Sequence, residues 1–139
     1  AVRYHVIVGA DFQKEYIKRL SQYNVELIEN ASMKRCMEVA DLFVTSAGST
    51  LYELAAVGTP SISFILSDDQ INVGETFWRL DGSISGGYFK RYDKEKFRQQ
   101  LEICCSNTVR KKYSDISKKI VSLHGAINAA VEIEKYLLG

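Results

Sequence analysis

The chain has 139 residues and a mass of 15.7 kDa, with 46% hydrophobic and 25% charged residues, nine glycines and one proline. Eighteen Lys/Arg against seventeen Asp/Glu leave a formal charge of +1, which argues against a dedicated nucleic-acid binder or an acidic tail protein. The length fits a single domain over residues 1–139, with enough apolar content for a core that needs no staples. Cys36 stands alone and Cys104 and Cys105 are adjacent, so neither a disulfide framework nor a CxxC metal knuckle can be built. A reducing, cytoplasmic setting is therefore expected. No apolar run approaches the roughly 20 residues of a membrane span. The strand-like pattern begins almost at once, without a leader or an initiator methionine, which raises the expectation of a piece cut from something longer.

In chain order, the β-branched run at 4–8 closes at Gly9 and predicts a first strand. Residues 13–21 follow as a short helix with Tyr16, Ile17 and Leu20 on one side, and 25–28 read as a second strand. Ser32 is placed as N-cap of a helix over 33–40, whose Met33, Cys36, Met37 and Ala40 share a face. A third strand at 42–45 leads into a helix over 49–57 that Gly58-Thr59-Pro60 stops, and 61–66 supply a fourth strand. Strand and helix alternating at this spacing mean parallel βαβ units with helices on both faces. Residues 67–70 form a polar turn, 71–80 a helix, and 81–87 a glycine and serine loop before a short strand at Tyr88 or Phe89. A helical tail begins at about 93, broken at Gly125, and 126–138 make a last amphipathic helix with Ala126, Ala130, Ile133 and Leu137 on one line. The expected fold is a Rossmann-like α/β domain of four or five parallel strands.

Open parallel sheets bind ligands beyond the carboxyl ends of their strands, and Thr45-Ser46-Ala47-Gly48-Ser49-Thr50 occupies such a place. Gly48 permits close backbone approach, Ser49 and Thr50 offer hydroxyls, and the first amides of the following helix lack intrahelical partners, so a diphosphate can be held without a lysine. The structural alternative is that Ser49 only caps the helix and Gly48 only turns the chain. Glu53 follows Ser49 by four residues, where a carboxylate accepts from ribose hydroxyls or else complements the helix dipole on a solvated face. Asp68, Asp69 and Gln70 read equally as a turn that starts the next helix.

The run ADLFVTSAGSTLYELAAVGTP at 40–60, followed by SDDQ at 67–70, resembles the carboxyl-terminal domain of UDP-sugar hydrolases and glycosyltransferases of pseudaminic acid and spore-coat polysaccharide biosynthesis. It is more distantly similar to the N-acetylglucosaminyltransferase that forms lipid II. The resemblance implies the C-terminal half of a two-domain, GT-B type fold. It also implies that Gly48, Ser49 and Thr50 bind the UDP diphosphate, that Glu53 binds the ribose, and that the region of Asn30, Ala31, Ser32 and Met33 meets the uracil. Asp69 and Gln70 would face the sugar. No catalytic residue and no cofactor is implied on this chain, because the catalytic base of such enzymes, on a glycine-rich loop carrying a histidine, belongs to the amino-terminal domain. That domain is an implied partner, together with UDP or a UDP-sugar. The tail departs from the family: Asn128 stands where relatives carry an arginine.

His5 and His124 do not sit in such a loop, and with no HxxxH or HExxH spacing no metal site is expected. Asp68 and Asp69 beside a diphosphate are the one place for a magnesium ion. Cys104 and Cys105 fall on the stripe of Phe97 and Leu101 and are expected to be buried thiols. Lys90, Arg91, Lys94, Lys96, Arg98 and the later basic runs read as solvated helix faces or as a peripheral contact with an anionic surface. Against the enzyme reading stands that of a standalone, non-catalytic α/β ligand-binding or interaction module.

Overall fold

A computed structural model describes residues 2–138 as two compact units, one up to Val39 and one from Ala40 onward. In the first unit, β1 (His5–Val8) pairs in parallel with β2 (Glu26–Glu29), with Val6 opposite Leu27 and Ile7 opposite Ile28. The connection is α1 (Lys14–Leu20), and α2 (Met33–Val39) follows β2. A parallel pair needs such a crossover, because a tight turn can only return the chain antiparallel. Ser32 behaves as the N-cap its sequence position suggests, its carbonyl accepting the Cys36 amide at 2.9 Å. Of the expected α2 face, Met37 is buried, Cys36 and Ala40 are half-buried, and Met33 is exposed.

In the second unit β3 (Phe43–Ser46), β4 (Ser61–Ile65) and β5 (Ile84–Tyr88) form a parallel sheet in the order β3-β4-β5. Every residue of the central strand β4 is buried, the signature of a parallel strand covered on both faces. Its alternation divides the core. Ile65 joins Ala47, Leu51, Ala55 and Phe77 beneath α3 (Thr50–Val57) and α4 (Ile71–Arg79), while Ile62 and Phe64 join Cys104 beneath α5 (Lys94–Cys104). Gly58 ends α3 in the left-handed conformation at φ 84°, its amide returning to the Leu54 carbonyl at 2.8 Å. The five parallel strands thus fall into a two-stranded and a three-stranded sheet, where four or five strands of one sheet were expected.

Three local expectations change. The stretch 81–87 is a strand from Ile84 rather than a loop, although two glycines weaken strand propensity. Gly86 lies against the Phe64 ring where a side chain would not fit, so tertiary packing overrides the propensity. The tail from 93 is interrupted between α5 and α6 (Asn107–Ile120), where the Arg110 guanidinium donates to the carbonyls of Cys104 at 2.7 Å and Cys105 at 3.0 Å. Cys105, expected to be buried, is exposed at that helix end, and only Cys104 reaches the core. The last helix, α7 (Gly125–Leu138), leaves Ile127, Ile133, Tyr136, Leu137 and Leu138 exposed.

Serines at 61 and 63 put hydroxyls inside the sheet face, and these are resolved by bonding to one another. Ser61 Oγ donates to Ser83 Oγ at 2.9 Å, Ser83 and Ser63 Oγ lie 2.9 Å apart, and the Trp78 indole N–H donates to Ser63 Oγ at 2.8 Å. A satisfied chain of this kind avoids the penalty of orphaned buried hydroxyls.

Candidate functional site

The carboxyl ends of β3, β4 and β5 carry the loops that hold the second unit's candidate residues. Beyond β3 the chain stays tied to the sheet for one more residue, the buried Ala47 donating its amide to the Phe64 carbonyl at 2.8 Å. Gly48, Ser49 and Thr50 then turn into α3. The Gly48 carbonyl accepts from Leu51 at 3.0 Å and the Ser49 carbonyl from Tyr52 at 3.0 Å, while the amides of Gly48, Ser49 and Thr50 have no acceptor among the described residues. These three N–H groups carry the positive end of the helix dipole.

Ser49 already has helical angles, φ −55° and ψ −30°, and its side chain makes no capping bond. Ser49 thus stands at the N-cap position through its carbonyl alone, and its hydroxyl has no partner among the described residues. Gly48 is informative in another way. It has no positive φ, and a Cβ placed there would meet only Ser46 Oγ at 3.8 Å and Gln70 Nε2 at 3.9 Å. Neither backbone conformation nor internal packing requires glycine at this position. Glu53 is exposed one turn further along α3, its carboxylate without a hydrogen-bond partner among the described residues.

Asp68, Asp69 and Gln70 form a 3-10 turn that runs into α4, as the turn reading anticipates. Neither aspartate caps it. Gln70 instead reaches back, its Oε1 accepting the Leu66 amide at 3.1 Å. Gln70 and Gly48 are thus neighbours, while Asp69 is exposed. The start of α4 is fixed by Gly74, which abuts Ile65 and Ala47 so closely that a Cβ would stand 2.7 Å from Ile65 Cγ1. Sequence reasoning passed over Gly74, although an isolated glycine inside a helical pattern is a signal of close approach.

Ile65, Leu66, Ser67, Asp68, Tyr88 and Lys90 line a shallow hollow between the ends of β4 and β5. On its rim the Tyr88 hydroxyl donates to Glu75 Oε1 at 2.6 Å, and this bond holds the phenol above its ordinary pKa. The sequence pattern did not single out this pair, which is thirteen residues apart on two elements. Asn30, Ala31, Ser32 and Met33 lie in the first unit, where β2 passes into α2. Asn30 is left-handed there at φ 52°, a conformation asparagine tolerates better than most residues.

Among the described residues no group of three metal-ligating side chains comes together. His5 is an exposed strand residue 3.1 Å from Glu26, and His124 is exposed ahead of α7. Burial raises the pKa of the Cys104 thiol, which opposes formation of a nucleophilic thiolate. Among the described residues no helix is long and apolar enough to cross a membrane. Compared with protein-family models and with curated proteins, the chain matches none.

Proposed function

We propose that the chain is the UDP-sugar-binding part of a polysaccharide-biosynthesis enzyme, a Rossmann-like half of a GT-B type fold working in the cytoplasm. The observation that carries this reading is the trio of amides at Gly48, Ser49 and Thr50. They have no acceptor among the described residues, and the first of them belongs to a glycine that the fold itself does not demand. A diphosphate uses both features, since it accepts from clustered N–H groups and must approach the backbone closely. Ser49 and Thr50 add hydroxyl donors, Glu53 accepts from the ribose, and Asp69 with Gln70 meets the hexose. The segment Asn30, Ala31, Ser32 and Met33 supplies backbone groups to the uracil edge.

In this reading the chain binds and orients the donor and stabilises the leaving UDP. Negative charge develops on the β-phosphate as the anomeric bond breaks, and amides aimed at it lower the barrier without reorganising. The base that activates the nucleophile, which is water in a hydrolase and the hydroxyl of the acceptor substrate in a transferase, comes from a further domain of the same polypeptide. The apolar side chains that α7 leaves in solvent are the kind of surface such a domain covers.

Calorimetric or NMR titration with UDP tests the reading. Binding of the isolated chain is expected in the roughly millimolar to high-micromolar range, as befits half a cleft, with amide shifts at residues 48–50 and weaker binding after Ser49→Ala or Glu53→Ala. Saturating UDP that moves no resonance in that loop rejects the reading and favours a non-catalytic module.

A further inference from the structure

The segment from Tyr88 to Arg98 holds five cations against two carboxylates, on a chain whose total charge is +1. Both carboxylates are engaged: Asp93 caps α5 by accepting the Lys96 amide at 3.0 Å, and Glu95 pairs with Arg98. Arg98 also pairs with Glu102. Lys90, Arg91, Lys94 and Lys96 are exposed, and among the described residues none has a carboxylate within ion-pair distance. Asp68 lines the same hollow as Lys90 without forming an ion pair with it.

Between these cations stand two aromatic rings that are rigidly mounted yet open to solvent. Phe89 is 55% and Tyr92 45% exposed. Their rings lie 5.9 Å apart, each 6.1 Å from the core ring of Phe64, and Tyr92 is a further 6.1 Å from Phe97. Anchored on the core, they lose little freedom on meeting a surface. Half-exposed aromatics among uncompensated Lys and Arg are the composition of a segment that lies on a membrane interface, its rings at headgroup level and its cations against anionic lipid.

We propose that the β5–α5 connection, through Phe89, Lys90, Arg91, Tyr92 and Lys94, docks the protein on an anionic lipid surface. The contact is peripheral and electrostatic in its range, with the aromatic rings limiting it to a bilayer rather than to any polyanion. It does not depend on the UDP reading, but it lies at the end of β5, on the same edge of the sheet as the loops after β3 and β4.

Flotation of the 139-residue chain with phosphatidylcholine vesicles, pure or containing about a third phosphatidylglycerol, tests the proposal. Binding is expected to the anionic vesicles alone and to be lost at high salt. The Arg91→Glu/Lys94→Glu pair, on exposed positions away from the core, is expected to lower partitioning roughly tenfold or more, and Tyr92→Ser to weaken it with charge unchanged. Absence of binding to anionic vesicles overturns the proposal, as does equal binding to neutral vesicles or full binding by the charge-reversed pair. Equal retention of wild type and Tyr92→Ser on heparin and on vesicles points to a general polyanion site and overturns it too.

Discussion

Gln70 is held to Leu66 by a hydrogen bond whose direction fixes the whole side chain. Because the Leu66 N–H can only donate, the amide oxygen must face it at 3.1 Å, and the amide nitrogen is left turned toward Gly48. A donor beside the Gly48–Thr50 loop is therefore set by the main chain of the β4 loop. Gln70→Glu keeps the acceptor for Leu66 but replaces the donor with negative charge. UDP titration of this variant is expected to show weakened binding with an unchanged melting temperature, whereas Gln70→Ala lowers stability by about 1 kcal/mol through the lost bond.

Gly48 and Gly74 make opposite predictions for the same substitution. At Gly48 the nearest atoms to an added methyl are 3.8 Å and 3.9 Å away, so Gly48→Ala is expected to unfold at the same urea concentration as the parent and yet to lose UDP binding. At Gly74 the methyl meets Ile65 and Ala47 at 2.7–3.0 Å, and Gly74→Ala is expected to lose roughly 1–3 kcal/mol by overpacking. Equal stability losses in the two variants would refute the distinction.

The hydroxyl chain in the sheet predicts a polar penalty at a position that looks harmless. Ser83 links Ser61 and Ser63, and Ser83→Ala removes both links at once, leaving buried oxygens with fewer partners. A loss of about 1–3 kcal/mol in chemical denaturation is expected, more than removing one oxygen from an exposed serine would give.

Reactivity separates the two adjacent thiols. Cys105 is exposed and Cys104 buried with a raised pKa. At mildly alkaline pH a thiol reagent followed by peptide mapping is expected to label Cys105 first, with Cys104 labelled only at the rate of unfolding. Comparable initial rates would contradict the packing of α5.

The Tyr88–Glu75 bond gives a pH dependence with a definite sign. The bond raises the folded-state pKa of the phenol above its unfolded value of about 10. Its contribution is thus fully present below about pH 10 and is lost as pH rises through the folded value. Titration of phenolate absorbance is expected to show one tyrosine shifting downward in Glu75→Gln, with less loss of stability at the alkaline end.

The alternation of strands and helices was legible because βαβ units write it twice, in the β-branched runs at β1, β3 and β4 and in the caps between them. The position of the loop at Gly48 to Thr50 was legible for the same reason: it follows a strand and opens a helix. Division of the strands between two sheets was not legible, since hydrogen-bonded neighbours across a sheet leave no periodic trace in the chain. β5 was hidden by two poor strand residues, Gly86, beside which Phe64 fills the space above the backbone, and Gly87, which stands at φ 86°. Gln70 was expected, from the resemblance alone, to face a sugar, and its bond to Leu66 depends on a loop geometry that composition does not encode.

Trp78 is the chain's one tryptophan, and its indole N–H is engaged by Ser63 on the central strand. The protein therefore carries its own optical probe of the seam between α4 and the sheet. Since α4 begins immediately after Gln70, a ligand that shifts this turn will change tryptophan emission in unlabelled protein, so occupancy of the loop can be followed in a cuvette at micromolar concentration before any chemistry is assayed.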